Sequence, residues 1–194
     1  MNRIKKIFCI TGFCLLFFSA CKKDDEQIPP APAFINYTIR QGQQFCDQTI
    51  FSPVEYTELK FVVKFDSSAI YTTIDPINQY DINKLYGFSD NNSDHQKFSA
   101  RFGWRWSTNA LHIFAYVYND GILTWKELGT VQIGDENNCS IKVADQQYIF
   151  SLNNSSEILH RSSTTRAAIG YKLFPFFGGN ESAPHDITIK IKEI

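Results

Sequence analysis

The sequence predicts an all-β protein with two packed sheets, because apolar and polar residues alternate with a period of two over most of the chain after residue 34. No later stretch of about a dozen residues keeps apolar side chains at helical spacing. Turn-forming residues separate the alternating segments, as at Asp120-Gly121 and Gly178-Gly179-Asn180. Eleven such segments in about 160 residues are too many for one flat sheet. The expected fold class is therefore a two-sheet β-sandwich.

The predicted strands follow this alternation along the chain. They cover residues 34–40, 56–65, 81–88, 98–106, 110–119, 122–131, 140–144, 148–152, 158–161, 167–174 and 186–193. The last strand alternates so regularly that one of its faces must lie in the core and the other in water.

The N-terminal segment has the layout of an export signal. Arg3, Lys5 and Lys6 precede an uncharged apolar stretch, residues 7–20, which ends in small side chains. This stretch is shorter than the roughly 20 residues of a membrane-spanning helix, and no later segment is long and apolar enough to span. Residues 1–20 are therefore predicted to be a signal peptide.

The end of this signal, Phe-Ser-Ala-Cys at residues 18–21, resembles the lipobox of bacterial lipoproteins, although Phe18 replaces the usual leucine. The resemblance implies that Cys21 is lipidated, for example with palmitate, and becomes the new N-terminus. Several acyl chains would anchor the protein firmly, since each buried methylene contributes about 0.8 kcal/mol. An ordinary signal peptide cut near Ala20 is the alternative.

Charged and proline-rich residues follow this cysteine, so residues 21–33 are predicted to form a flexible tether before a β-sandwich domain at residues 34–194. Lys23 and the acidic residues after it resemble the surface-export signal of Bacteroidetes-type lipoproteins. That resemblance implies an outer-membrane lipoprotein that faces outward. A solvated tether that faces the periplasm is the alternative.

The charge balance argues against nucleic acid as a partner. Residues 1–20 hold three of the 19 basic residues and none of the 20 acidic ones, so the remaining chain carries a net charge of about −4. The lysine and arginine residues do not cluster into a basic stripe of the kind that binds nucleic acid.

Two cysteines remain once Cys9 and Cys14 leave with the signal and Cys21 takes lipid. In an exported protein an isolated pair favours a disulfide, so Cys46 and Cys139 are predicted to be bridged. Two separate buried thiols are the alternative.

The segment 98–106, FSARFGWRW, is predicted to pair with residues 110–119 through a two-residue loop. In that register Trp106 faces Leu111, and Trp104 faces Ile113 on the same side. This side is predicted to be core, with Phe102 and Ala100 continuing it.

The opposite face of the same hairpin combines arginine, histidine and aromatic rings. A second two-residue loop at Asp120-Gly121 would bring a third strand beside it and pair His112 with Gly129. A three-residue loop with a bulge is the alternative, and it would turn Trp125 toward the core. With Tyr171 from a later strand, the predicted ligand-binding residues are Arg101, Arg105, His112, Tyr116, Trp125, Glu127 and Tyr171.

These residue types suit a carbohydrate. A sugar ring presents an apolar face that stacks on Trp125 or Tyr116, while its hydroxyls bind groups such as His112 and Glu127. Arginine also binds a carboxylate with two parallel hydrogen bonds, which would favour an acidic glycan. The alternative is that the rings fill gaps beside glycine, or that a loop covers this face.

The rhythm of strands and turns from residue 59 to residue 194 resembles the concanavalin A-like jelly roll of lectins, laminin G-type modules and several carbohydrate-active enzymes. The segments that carry the resemblance are ALHIFAYVYNDG, QQYIFSLNN and GYKLFPFFGGNESAPHDITIKI. The resemblance implies a jelly-roll fold and is weaker evidence for function.

Enzymes of this fold carry characteristic sequence motifs. The Glu-x-Asp-x-x-Glu signature of laminarinase-type hydrolases is absent from the sequence. This sequence resembles polysaccharide lyases of the alginate-lyase type more closely. Those lyases carry a strand that bears arginine, a Gln-x-His strand and a Tyr-Phe-Lys segment, in this order. Here Arg101 and Arg105 precede His112 and Tyr171, but the glutamine is missing. The resemblance implies His112 and Tyr171 as acid and base.

No cofactor or metal is expected. Residues 90–94 imitate the first half of a calcium loop, but His95 replaces its glycine and Arg101 its bidentate glutamate, so a polar turn is predicted. The sequence therefore predicts a surface lipoprotein that binds glycan without catalysis. A polysaccharide lyase and a structural or protein-binding envelope lipoprotein are the alternatives.

Overall fold

The computed structural model describes residues 32–194. Twelve strands run through this part of the chain, with short 3-10 helices at Ser67–Ala69 and Pro76–Tyr80. The strands are β1 (Ile35–Ile39), β2 (Pro53–Tyr56), β3 (Glu58–Phe65), β4 (Asn83–Ser89), β5 (Phe98–Ser107), β6 (Ala110–Asn119), β7 (Ile122–Val131), β8 (Glu136–Ala144), β9 (Gln147–Leu152), β10 (Ser155–His160), β11 (Ala168–Leu173) and β12 (Ile187–Glu193).

Three sequence predictions concern the N-terminal segment. The signal peptide, the lipidated Cys21 and most of the tether lie outside the described residues. Within residues 32–194, no helix has the length and apolar character needed to cross a bilayer.

The strands form two six-stranded antiparallel sheets, as predicted for a β-sandwich. The first sheet has the order β1-β12-β3-β8-β9-β10, and the second has the order β2-β11-β4-β5-β6-β7. Consecutive strands β4 to β7 form a meander in the second sheet, and this meander positions most of the candidate site.

Aromatic side chains from the facing sides of the two sheets fill the core. Phe61 of β3 packs edge-on against Phe102 of β5 with ring centres 5.5 Å apart, and Phe102 in turn contacts Phe150 of β9. Trp104 is fully buried beside Phe65. The predicted core face of residues 98–106 is therefore confirmed.

Two-residue turns join β5 to β6 and β6 to β7. Thr108 and Asn109 both have positive φ, as do Asp120 and Gly121, which is the backbone of the turns that favour hairpins. The predicted register of β5 and β6 is confirmed, including the pair Trp104–Ile113.

The predicted register of β6 and β7 is correct only in part. Trp125 lies opposite Tyr116 as predicted, so the alternative three-residue loop is absent. The predicted pair His112–Gly129 is wrong, because a bulge shifts the register and pairs His112 with Thr130. Gly129 has a φ of 134°, a conformation that suits glycine, and the extra residue at this point turns Leu128 into the core.

The predicted disulfide between Cys46 and Cys139 is wrong, since both thiols are free and buried, as in the alternative. The backbone of Cys46 pairs with that of Ile39 in an isolated β-bridge at the outer side of β1, whereas Cys139 lies on β8. Strands β1, β12 and β3 separate them, so the two residues are about four strand spacings, or roughly 19 Å, apart. A disulfide needs Cα atoms within about 7 Å.

Candidate binding cleft

A cleft of about 500 Å³ opens on the outer face of the second sheet. Its floor is formed by side chains from β4, β5, β6 and β11, and its walls come from the segments 45–51 and 174–176. Polar groups that line it include Lys84, His95, Arg101 and Tyr171, and the apolar wall includes Phe45, Ile50, Phe51 and Phe176.

Arg101 lies at the floor of this cleft with only 8% of its surface exposed. Within residues 32–194 its guanidinium has no hydrogen bond and no ion pair, although buried arginine is ordinarily paired. Burial lowers the pKa of Arg101 to about 10, and the group stays charged at neutral pH. Gly87 lets β4 approach β5 closely at this position, since a Cβ there would collide with the Cβ of Arg101 and the carbonyl of Ala100.

Lys84 of β4 adds a second cation beside Arg101. Its Nζ donates to the carbonyl of Ile82 at 2.8 Å and lies 5.2 Å from the centre of the Tyr116 ring. Burial, together with the charge of Arg101, lowers the pKa of Lys84 to about 8, while Asp81 opposes the shift. The cleft floor is therefore positively charged, and its two cationic side chains are largely shielded from solvent.

Tyr171 and His95 form a hydrogen-bonded pair at one side of the cleft. The Tyr171 hydroxyl accepts a bond from the His95 backbone N–H at 3.1 Å and lies 2.9 Å from His95 Nδ1. Burial and the charge of Arg101 both lower the pKa of His95, which favours neutral imidazole at pH 7. Burial raises the pKa of Tyr171.

A smaller cavity of about 240 Å³ continues from the cleft toward the edge strand β7. Lys84 and Tyr116 line both spaces, and Trp125 with Leu123 lines only the smaller one. Trp125 is 49% exposed, and its ring packs edge-on against Phe114 with centres 5.7 Å apart.

The seven predicted ligand-binding residues do not share one space in the structure. Arg101, Tyr116 and Tyr171 line the cleft, and Trp125 lines the adjoining cavity. The other three, Arg105, His112 and Glu127, line neither of these two spaces.

Arg105 is covered by the chain around the Pro76–Tyr80 helix. Its Nη1 donates to the Tyr80 carbonyl at 2.9 Å, and its guanidinium carbon lies 4.8 Å from the centre of the Phe114 ring. Ile82 packs on Gly103 in the same region, and Phe114 is fully buried. The alternative that a covering segment occupies this face is therefore correct at Arg105.

His112 and Glu127 form an ion-pair geometry with each other, with 2.7 Å between Nδ1 and Oε1. His112 Nε2 lies 3.2 Å from the Ser107 carbonyl. The lyase resemblance implies His112 and Tyr171 as acid and base, but each of them contacts a different residue, and only Tyr171 lines the cleft. His95 instead lies beside Tyr171.

Sequence reasoning missed most residues of the cleft, among them the polar side chains of Lys84, His95 and Tyr118. Lys84 carries a usable signal, because it is an isolated charge in the otherwise uncharged strand β4. His95 lies in a loop and carries no periodic signal. Only the fold brings that loop to β11.

The loop at residues 90–94 is a turn in the structure, and Asp90 is fully buried in an ion pair with Arg161. Within the described part of the chain, no group of three or more His, Cys, Asp or Glu residues is positioned to hold a metal ion.

No protein-family model matches the sequence, and no curated protein matches it significantly. Solved structures do match. The alginate lyase AlyC3 has a TM-score of 0.55 at 10% identity, over 81% of this chain and 72% of that chain. An alginate lyase from Klebsiella pneumoniae has a TM-score of 0.52 at 12% identity, over 69% of this chain and 56% of that chain. A glycoside hydrolase family 16 endo-glucanase from Bacteroides ovatus has a TM-score of 0.52 at 9% identity, over 84% of this chain and 81% of that chain.

These similarities define the class of fold. The protein is an all-β, two-sheet sandwich of the concanavalin A-like jelly-roll type, as the sequence predicts. At identities of 9–12% the likeness concerns the fold alone.

Proposed function

We propose that the cleft is a glycan-binding site that holds its ligand without catalysing a reaction. The observation that carries this proposal is the guanidinium of Arg101, which is buried at the floor of the cleft and unpaired within residues 32–194. An unpaired buried charge costs several kcal/mol, so a bound anion or a row of hydroxyls is its natural partner.

The surroundings of Arg101 fit a sugar ring. Tyr171 offers a half-buried aromatic ring and a hydroxyl group, the buried Tyr116 supports the two cations, and Lys84 adds a further donor. The solved relatives with this fold include enzymes named as alginate lyases and a glucanase, which supports a carbohydrate ligand by analogy.

A glycan array followed by calorimetric titration tests the proposal. Arg101→Ala and Tyr116→Ala are expected to lose binding, because each removes a group from the cleft floor. Lys126→Ala is the matched control, since this lysine pairs with Glu157 instead of lining the cleft. Retained binding in both cleft variants would contradict the proposal.

A polysaccharide lyase is the second candidate, and the contact between Tyr171 and His95 beside Arg101 favours it. A lyase needs a base near the sugar and a cation on its carboxylate. The raised pKa of Tyr171 makes its phenolate harder to form. Incubation with polyuronates would produce an unsaturated product with ultraviolet absorbance, and Tyr171→Phe should abolish that signal if this second candidate is correct.

We also propose that the domain is carried on the outer surface of the outer membrane by a lipid on Cys21. The lipobox-like segment and the lysine and acidic residues after it support this localisation. Metabolic labelling with palmitate should mark the wild-type chain and leave Cys21→Ser unlabelled. Protease treatment of whole cells would then separate outward exposure from periplasmic exposure.

A further inference from the structure

The cleft and the smaller cavity are adjacent parts of one groove, because Lys84 and Tyr116 line both of them. The groove runs across the strands from Tyr171 on β11 to Trp125 on β7, over β4, β5 and β6. Four strand spacings separate β11 from β7, which gives a length of about 19 Å. A single sugar is too short to fill such a groove, whereas a chain of several sugars fits it.

The chemistry changes along this groove. Arg101 places positive charge in the cleft, Lys84 lies where the cleft meets the cavity, and Asp81 lines only the cavity beside Trp125. A carboxylate of the ligand is favoured near the two cations and disfavoured near Asp81, since like charges at close range repel. Hydroxyl groups, in contrast, can donate to Asp81.

Trp125 has the properties of a stacking platform. It projects from the same face as Tyr116, directly opposite it on the neighbouring strand, and half of its surface is exposed. Its contact with Phe114, which is fully buried, holds the indole in place before a ligand arrives. A ring fixed in advance loses little conformational entropy on binding.

We propose that the groove binds a mixed acidic oligosaccharide, with an acidic sugar in the Arg101 part of the groove and an uncharged sugar against Trp125 and Asp81. Two strand spacings, about 10 Å, separate the strands that carry Arg101 and Trp125. The inference rests on the proposed glycan binding. It adds a second subsite and specifies which subsite takes the acidic sugar and which takes the uncharged one.

Calorimetric titration with three oligosaccharide series tests the inference. The probes are hyaluronan oligosaccharides, in which glucuronate alternates with an uncharged amino sugar, oligogalacturonates, in which every unit is acidic, and cello-oligosaccharides, which are neutral. The hyaluronan hexasaccharide is expected to bind more tightly than its disaccharide, and more tightly than the hexamers of the other two series.

Two variants separate the subsites. Trp125→Ala should weaken the hexasaccharide about 3- to 10-fold, as expected for loss of a stacked ring, and leave the disaccharide unchanged. Thr124→Ala is the matched control, because this neighbour on β7 projects from the other side of the sheet. Asp81→Asn should strengthen binding of oligogalacturonate and leave hyaluronan binding nearly unchanged.

The outcomes distinguish the two proposals. If no glycan on the array binds, the proposed function and this inference both fail. If Arg101→Ala abolishes glycan binding but chain length, Trp125 and Asp81 have no effect, the glycan site stands and the mixed-chain inference is overturned. Equal or tighter binding of the uniformly acidic series would also overturn it.

Discussion

Arg101 and Tyr116 are directly paired across β5 and β6, and the guanidinium carbon of Arg101 lies 6.0 Å from the centre of the Tyr116 ring. This aromatic contact is a weak substitute for an ion pair, and within residues 32–194 no carboxylate pairs with Arg101. The pair therefore keeps a cation at the cleft floor without neutralising it.

Replacing Arg101 by methionine is expected to stabilise the unliganded domain while it removes glycan binding. Methionine has a similar length and no charge to desolvate, and the lowered pKa of Arg101 corresponds to a cost of about 3 kcal/mol. Urea unfolding and titration measure the two effects. A large loss of stability in this variant would instead give Arg101 a structural role.

Affinity for an acidic ligand should fall as the pH rises from 7 to 9, because Lys84, with a pKa of about 8, loses its charge in this range. Arg101 keeps its charge over most of the same range, since its pKa is about 10. Lys84→Met should flatten this dependence, which titration at several pH values measures. An equally steep dependence in the variant would assign it to another group.

Loss of the charge on Lys84 should raise the stability of the folded domain as the pH increases, although it lowers the affinity for an acidic ligand. Its pKa is lower in the folded than in the unfolded chain, so burial of the charge costs stability below pH 8, and this cost disappears as the pH rises above the unfolded pKa of about 10.4. Lys84→Met should therefore gain about 1 to 3 kcal/mol at pH 7 and less at pH 10. A gain that is equal at both pH values would contradict this account.

The buried ion pair of Asp90 and Arg161 should be essential for the fold. Arg161 Nε donates to Asp90 Oδ2 at 2.8 Å, and the Tyr148 hydroxyl donates to the same oxygen. Asp90→Asn would leave the guanidinium buried without its counter-charge, at a cost of about 3 to 5 kcal/mol.

The exposed pair of Lys126 and Glu157 provides the control for Asp90→Asn. Glu157→Gln should cost less than about 1 kcal/mol, because solvent already screens this pair. Urea unfolding of both variants makes the comparison. Similar losses in the free energy of unfolding of the two variants would show that the buried Asp90 pair contributes no more to stability than the exposed pair.

Reducing agent should not change the stability of the domain, since Cys46 and Cys139 are free. Two thiols per domain should react with a thiol reagent after unfolding without reductant. In the folded protein Cys139 should react slowly, because burial raises its pKa and blocks access. A reductant-sensitive melting temperature would restore the disulfide prediction.

Local pattern was sufficient to predict much of the meander. The loops at Thr108-Asn109 and Asp120-Gly121 fix the hairpin registers, and once the register is known a period of two assigns each side chain to a face. The core position of Trp104 and the outward position of Trp125 follow from these two facts alone.

Contacts distant in sequence were not predictable in the same way. The bulge at Gly129 moved His112 to a different partner, and Ile82 covered Gly103 from a segment about twenty residues earlier. Strand β2 was not predicted as a separate element, since its four residues become a strand by pairing with β11. Cys46 and Cys139 appeared to be a pair only because the number of strands between them was not yet known.

By itself, the sequence determined the sandwich fold, the alternation of its faces and the residue types available on the outer face of the meander. Only the tertiary structure decided which of these residues share a cleft, because segments from Phe45 to Phe51, around His95 and around Ile82 converge on one sheet from distant parts of the chain. Alternation depends on the local backbone, whereas burial of Arg101 and its lack of a counter-charge depend on what packs above it.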